Sequence, residues 1–402
     1  MAAVSDPSPI DAALDGEARR ILETQELPNF LARQRWFAGK ARPIRTVRWL
    51  DWTRGGGFPS GTCLSLIRVE YQSGLADTYL LPIGLAQGAR AATIERDQPG
   101  RVIGRLPGLG LIYDSLADPE VGATLLEAIA GSRTIPAGSG SVQALTTAAF
   151  TQARGPIDAP LPVVGGSFEQ SNSAILFGDR LILKIFRRLD LGINPDFEIG
   201  RFLAEKTTFN RIPQTAGAIL YEVPGSDPMM IGILQGLVPN LGTGWDHALG
   251  ALRSYYERAS ATEPESFEGR SLLELVETPV PVAIRAAIGD YLDDAATLGR
   301  RTAELHLALA SNPDQPAFCP EPMTPNDLDH LANEVTNQVE KTLGVLRAGR
   351  ARLTGIIGDQ ADRVLDQAPR LLDRIEAGLD GDLGEEEPAA PALFTRAPEA
   401  AV

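Results

Sequence analysis

Cysteine, histidine and positive charge are all scarce in this 402-residue chain, and each shortage excludes something. Cys63 falls in a strand-like stretch and Cys319 in a Pro-rich loop. Two thiols without metal-like spacing give neither a disulfide framework nor a zinc site, and both read as buried or free thiols. The three histidines, His247, His306 and His330, are equally unpersuasive as ligands, and His306 reads as a packing or capping residue on a helix. Against 52 Asp and Glu there are 37 Lys and Arg, for a formal net charge of -15. That balance excludes nucleic acid as a partner, because such affinity rests on clustered cations that neutralise phosphates. No apolar run is long enough to span a bilayer, and residues 1–6 lack the basic and apolar regions of a secretory signal. A cytoplasmic protein with no membrane partner is expected.

What the chain does have is length and an ordinary hydrophobic fraction of 44%, enough for two or three cores. Residues 1–130 combine a helical start, strands around 46–52, a hairpin through 63–69 and 78–83, and a helix at 121–130. Within it, Arg33, Arg35 and Lys40 flank Trp36 and Phe37, which favours a packing role over a nucleic-acid patch. Gly- and Pro-rich connectors at 131–141 and 154–166 surround a short segment at 142–150. A second α+β region follows to residue 239, then a helical region over 240–380. Residues 381–402, with Glu385-Glu386-Glu387 and Pro-Ala repeats, read as a disordered acidic tail.

The clearest chemical signal is Gly165-Gly166-Ser167-Phe168-Glu169-Gln170-Ser171-Asn172-Ser173 followed by two apolar stretches around Gly178-Asp179-Arg180. This is hairpin chemistry, and its second stretch sets Lys184 among Leu, Ile and Phe. A lysine so placed needs an anion, which in kinase-type sites is a pair of phosphate oxygens, with a helix glutamate on the other side. Asn194-Pro195-Asp196 opens such a helix, with Asn as cap, Pro at the first position and Asp at the positive dipole end. Ile199, Phe202 and Leu203 form its apolar face, leaving Glu198 or Glu205 to reach Lys184; Glu198, nearest the capped end, is favoured. The bland alternative is an edge-strand Lys184 that snorkels to solvent. Further on, the apolar run 229–238, with Gln235 and Leu237 near its end, enters a Gly-Pro connector, as a hinge between two kinase lobes would, where backbone groups usually hold adenine in an apolar slot.

These residues resemble the maltokinase family. Leu27-Pro28-Asn29-Phe30-Leu31-Ala32-Arg33-Gln34-Arg35-Trp36-Phe37-Ala38-Gly39-Lys40 is similar to the opening of the family's cap domain. Glu169-Gln170-Ser171-Asn172-Ser173 is similar to its phosphate loop, and residues 181–203, with Arg187-Arg188 and Gly192-Ile193-Asn194-Pro195, to its strand-helix core. A softer match is Val238-Pro239-Asn240 with Gly244-Trp245-Asp246. The resemblance implies an N-terminal cap (1–130), a kinase-like N-lobe related to aminoglycoside phosphotransferases (131–239) and a partial helical C-lobe (240–380). It implies ATP-dependent phosphorylation of maltose at its anomeric carbon, feeding glycogen-type α-glucan synthesis from trehalose-derived maltose. Lys184 would bind the ATP phosphates and Glu198 would orient it; Glu169, Gln170, Ser171, Asn172 and Ser173 would form the phosphate loop, and residues 235–238 would cradle adenine.

The family's base and Mg²⁺ ligands come from a His-Gly-Asp loop and a later Asp-Phe-x-Gly-Glu-like loop. Neither occurs here: no histidine precedes Gly-Asp, and Gly381-Asp382-Leu383-Gly384 is a partial echo inside the acidic tail. A maltokinase-related chain whose catalytic part is missing is therefore expected, with a noncatalytic nucleotide- or partner-binding protein, or an amino-sugar kinase, as alternatives. Stripes at Leu331, Val335, Val339, Leu343 and Leu346, and at 364–379 around a kinking Pro369, predict two amphipathic helices. Lacking a complete lobe to cover them, these would favour self-association or a partner.

Overall fold

The computed structural model describes residues 9–166, 172–259 and 278–379. Glu169, Gln170, Ser171 and the stretch 381–384 lie outside the described residues. One unit extends to Leu309 and a second begins at Ala310.

The chain opens with helices α1 (Pro9–Ala13) and α2 (Gly16–Ile21), a π-helical stretch at Leu22–Glu26, and α3 (Leu27–Arg33). Strands β1 (Ile44–Trp52), β2 (Thr62–Tyr71) and β3 (Asp77–Ala86) follow. Helix α4 (Gly88–Asp97), strands β4 (Val102–Leu106) and β5 (Gly110–Asp114), and helix α5 (Pro119–Ala130) come next. The strands pair antiparallel in the order β1-β2-β3-β5-β4. Strands β2 and β3 read as near-continuous apolar runs because both faces of this sheet are buried. Cys63, Ile67, Val69, Tyr79 and Leu81 pack in the core with α1 to α3, whereas Leu64, Leu66 and Leu80 enter a different core.

A second sheet contributes the other wall of that different core. It comprises β6 (Thr134–Pro136), β7 (Ser141–Thr146), β8 (Val163–Gly166), β9 (Asn172–Phe177) and β10 (Leu181–Phe186), with α6 (Phe150–Arg154) between β7 and β8. After a short β11 (Arg188–Leu189) and helix α7 (Pro195–Lys206), strands β12 (Thr215–Glu222) and β13 (Met229–Gly236) complete it. The order is β6-β7-β12-β13-β10-β9-β8. Strand β10 therefore lies between β13 and β9 and is not an edge. Its hairpin with β9 turns at Gly178, whose φ of +58° suits glycine. Helix α5 packs between the sheets, where Leu125 and Ile129 share a core with Ile175, Leu183 and Ile185. A lysine-bearing central strand, then a helix, then two further strands is the arrangement of a kinase N-lobe.

The sheets are also joined through backbone and carboxylate. Just after β10 of the second sheet, strand β11 pairs with β3 as part of the first, Arg188 opposite Tyr79 and Leu189 opposite Thr78. At the other end the buried Asp51 of β1 accepts amides from Gly138 at 2.7 Å and Ser139 at 2.8 Å, in the β6–β7 turn.

Helices α8 (Gly244–Ala259), α9 (Val282–Ile288) and α10 (Tyr291–Leu309) end the first unit, in line with the helical reading beyond residue 245. An exposed contact of 2.8 Å joins His247 Nε2 to the Asp294 carboxylate, and Arg258 Nε donates to the Ala287 carbonyl. In the second unit, α11 (Pro325–Gly349) and α12 (Gly355–Leu379) occupy the two predicted stretches, and α12 continues through Pro369. Thr324 and Asp327 form a capping box at the start of α11. Leu343, Ala361 and Ala368 are buried, while Val345, Ile356 and Ile357 are exposed.

Candidate nucleotide site and the cap junction

The start of α7 is built as its sequence dictates. Asn194 Oδ1 accepts the Asp196 amide at 2.9 Å, and Pro195 takes the first helical position, where no amide is needed. Phe197, Gly200, Phe202 and Leu203 are buried. The apolar face thus includes Phe197 as its anchor, and Ile199 is only half-buried. This rotation decides which acid meets the lysine. Lys184 Nζ donates to Asp196 Oδ2 at 2.7 Å, so the partner is Asp196 and not the expected Glu198. Glu205 pairs with Arg201 at 3.2 Å instead. Lys184 is partly screened, its ammonium 5.6 Å from the centre of the Phe186 ring, whereas the Asp196 side chain is 54% exposed. A ligand phosphate can therefore compete for the ammonium without breaking a buried ion pair.

Side-chain alternation separates two residues that the motif sets close together. Lys184 lies opposite Ala174, and Ile185 opposite Ser173, so Ser173 shares the face of the buried Ile185 and not that of Lys184. Its hydroxyl accepts from Arg187 Nε at 2.9 Å. Asn172 begins β9 opposite Phe186. At the far end of β13, Gln235 and Leu237 are half-buried, but the Gly236 amide donates to Gln214 O at 2.8 Å and the Leu237 amide to Arg180 O at 2.7 Å. Both of these backbone donors of the expected hinge are engaged within the chain. Among the described residues no group of three or more His, Cys, Asp or Glu side chains converges as a metal centre, and no Mg²⁺ ligand is assigned.

On the reverse face of the second sheet, Arg187 forms a junction that the sequence reading did not find. Arg187 is 4% exposed, and its guanidinium donates through Nη2 to Asp114 Oδ2 at 2.8 Å. The Trp36 ring lies 4.7 Å from its Cζ, and Trp36 is in turn packed against Phe30 and Tyr79. The Arg187 carbonyl accepts the Leu80 amide at 2.8 Å, which continues the β11–β3 pairing. Trp36 and Phe37 are buried, whereas Arg33, Arg35 and Lys40, expected to share a packing role with them, are exposed. One sequence signal did exist: a cation directly after a buried apolar strand requires a nearby anion or aromatic face.

Compared with known proteins, residues 30–118 match the family model for the maltokinase N-terminal cap domain. Among solved structures, glucosamine kinase in complex with glucosamine, ADP and inorganic phosphate is 18% identical, with a TM-score of 0.45. That match covers 88% of this chain and 62% of the other. Crystal form B of glucosamine kinase is 18% identical with a TM-score of 0.46, covering 86% of this chain and 61% of that one. The chain thus spans less than two thirds of the length of these kinases. Helix α3, the Arg35-Trp36-Phe37 motif and the first sheet all fall within or overlap the stretch, residues 30–118, that matches the maltokinase N-terminal cap model.

Proposed function

We propose that this chain forms the nucleotide-holding part of a sugar kinase of the maltokinase type, with ATP as phosphoryl donor and maltose or a related sugar as acceptor. The observation that carries the reading is the direct attachment of the Lys184 strand to a maltokinase cap domain through β11. In this reading Lys184 holds ATP phosphates and Asp196 positions its ammonium from the first turn of α7. The 169–173 motif supplies the phosphate loop in this reading, with Asn172 at the start of β9 and the buried Ser173 anchoring that end through Arg187, and residues 235–238 border the adenine. Because the amides of Gly236 and Leu237 are already engaged, adenine contacts there fall to the remaining backbone and side-chain groups of the stretch. Bound ATP supplies the phosphoryl group, and Mg²⁺ is its expected companion.

Transfer to a sugar hydroxyl also needs a carboxylate base. The second reading, nucleotide binding without turnover, draws on the absence of Gly-Asp after any of the three histidines. The two separate cleanly by experiment. Calorimetric titration of the chain with ATP, with and without Mg²⁺, should give weak binding that Lys184→Met reduces by about tenfold or more. No detectable ATP binding overturns the nucleotide assignment. Maltose 1-phosphate production above a buffer control selects the catalytic reading, and its absence alongside ATP binding selects the noncatalytic one.

A further inference from the structure

A cleft of about 580 Å³ opens at the cap junction, away from Lys184. Arg33 at the end of α3, Arg35 and Trp36 just beyond it, Arg101 before β4, Asp114 at the end of β5 and Arg187 after β10 all line it. Four guanidinium groups thus face one carboxylate, in a chain whose net charge is -15.

The charges do not cancel locally. Asp114 is already engaged on both oxygens, Oδ1 by the Leu116 amide at 3.1 Å and Oδ2 by Arg187. Arg101 pairs with Asp118 and donates its Nε to the Asp114 carbonyl at 2.8 Å. Arg33 has one backbone acceptor, Asn29 O at 3.2 Å, and Arg35 has no hydrogen-bond or ion-pair partner among the described residues. Both are exposed at the cleft.

A second observation points the same way. Arg187 is almost wholly buried, yet its Nη1 has no hydrogen-bond partner among the described residues. Ser173 holds its Nε, Asp114 its Nη2, and Trp36 stacks near its plane. Only Nη1 is left unsatisfied, at a cost that native structures normally avoid by supplying an acceptor. A guanidinium fixed on three sides presents Nη1 as a preorganised donor to an oxyanion.

We propose that this cleft binds the phosphate group of a small phosphorylated molecule. Three arginines with unused donors offer more N–H groups than the two oxygens of a carboxylate accept, whereas a phosphate monoester brings three acceptor oxygens and nearly two charges. The volume lies within the range of small-molecule sites and exceeds what a bare ion fills, so an ester is favoured over inorganic phosphate. The ligand would bridge cap arginines to Arg187, which holds Ser173 at the base of the connection through 167–171. Occupancy thereby ties the cap to the strand that leaves the expected phosphate loop, and this inference stands whether or not Lys184 binds ATP.

The test uses the full chain at constant ionic strength, with thermal unfolding and tryptophan fluorescence as readouts. The probes are glucose 1-phosphate, inorganic phosphate and, as the uncharged control, glucose. Saturable stabilisation by glucose 1-phosphate but not glucose is expected, weakened about tenfold in Arg35→Gln and in Arg33→Gln. These are exposed positions whose replacement should leave the ligand-free unfolding temperature unchanged. Lys184→Met should bind the phosphate probes as the unaltered chain does. Tighter binding of glucose 1-phosphate than of inorganic phosphate assigns an ester site, and equal binding assigns a site for free phosphate; both outcomes support the cleft. No saturable effect beyond a chloride control overturns the proposal. So does binding that persists in both arginine variants, or that is lost in Lys184→Met alone.

Discussion

Tyr221 and Asp51, 170 positions apart in sequence, meet at the junction of the two sheets, where the Tyr221 hydroxyl donates to Asp51 Oδ2 at 2.6 Å. The same carboxylate collects the Gly138, Ser139 and Gly140 amides as well, so one β1 side chain organises the β6–β7 turn and clamps it to β12. Tyr221→Phe should lower stability by about 1–3 kcal/mol through loss of a charge-assisted bond. Asp51→Ala, which strands several donors at once, should cost about 4 kcal/mol or more. Urea unfolding followed by tryptophan fluorescence measures both. Equal, negligible effects would show that the turn holds without the carboxylate.

Gly165 in β8 allows the chain just before α5 to approach closely. A Cβ at this position would lie 2.6 Å from the Ala117 Cα, a backbone atom that cannot simply rotate away. Gly165→Ala should therefore destabilise by about 1–3 kcal/mol through overpacking. Gly244, with no atom within 4 Å of its would-be Cβ, serves as the control. Gly244→Ala is expected to be neutral or stabilising by about 0.4–1 kcal/mol. Denaturation midpoints of the two variants decide it.

Lys184 and Asp196 form a partly exposed ion pair, and such pairs contribute about 0–1 kcal/mol to stability. Lys184→Met and Asp196→Asn should thus barely move the unfolding temperature while both weaken ATP. Glu198→Gln should leave ATP affinity within about twofold, since the helix directs Asp196 to the lysine. An ATP loss in Glu198→Gln equal to that in Asp196→Asn would mean that Glu198 replaces Asp196 when nucleotide binds.

Alkali should unfold the protein through its tyrosines. Burial is the largest cause holding the Tyr71, Tyr79, Tyr113 and Tyr221 phenols above their ordinary range; Asp77, Asp118 and Asp51 add to this at Tyr71, Tyr113 and Tyr221 respectively. Each group binds its proton more tightly folded than unfolded. Its contribution is complete below the unfolded phenol pKa of about 10 and is lost as pH rises towards the folded value. Phenolate absorbance from these four should appear cooperatively with unfolding above about pH 10. Gradual titration with the fold intact would contradict their burial. Cys63, also pushed upward by burial, should stay unreactive to thiol reagents until the same transition.

The sequence by itself determined the local pieces. The β9–β10 hairpin follows from apolar runs around Gly178, the start of α7 from Asn194-Pro195, and the two long C-terminal helices from their apolar stripes. Each depends on neighbours within a turn or two, where caps, φ limits and side-chain period act directly. Lys184 was legible in the same way, because a cation inside an apolar strand stands out wherever the strand ends up. Only the tertiary structure decided what these pieces meet. Burial of Phe197 rotated α7 so that Asp196, not Glu198, reached Lys184, and a helical wheel offering several acids cannot choose between them without the sheet it packs on. Strand register turned Ser173 away from Lys184 towards Arg187. Arg187 found Asp114 73 positions back, and Tyr221 found Asp51 across 170. Such partners carry no local period or cap that marks them. Packing one sheet against the next selects them, because a buried charge or hydroxyl must be satisfied by whatever acceptor the shared core brings within reach.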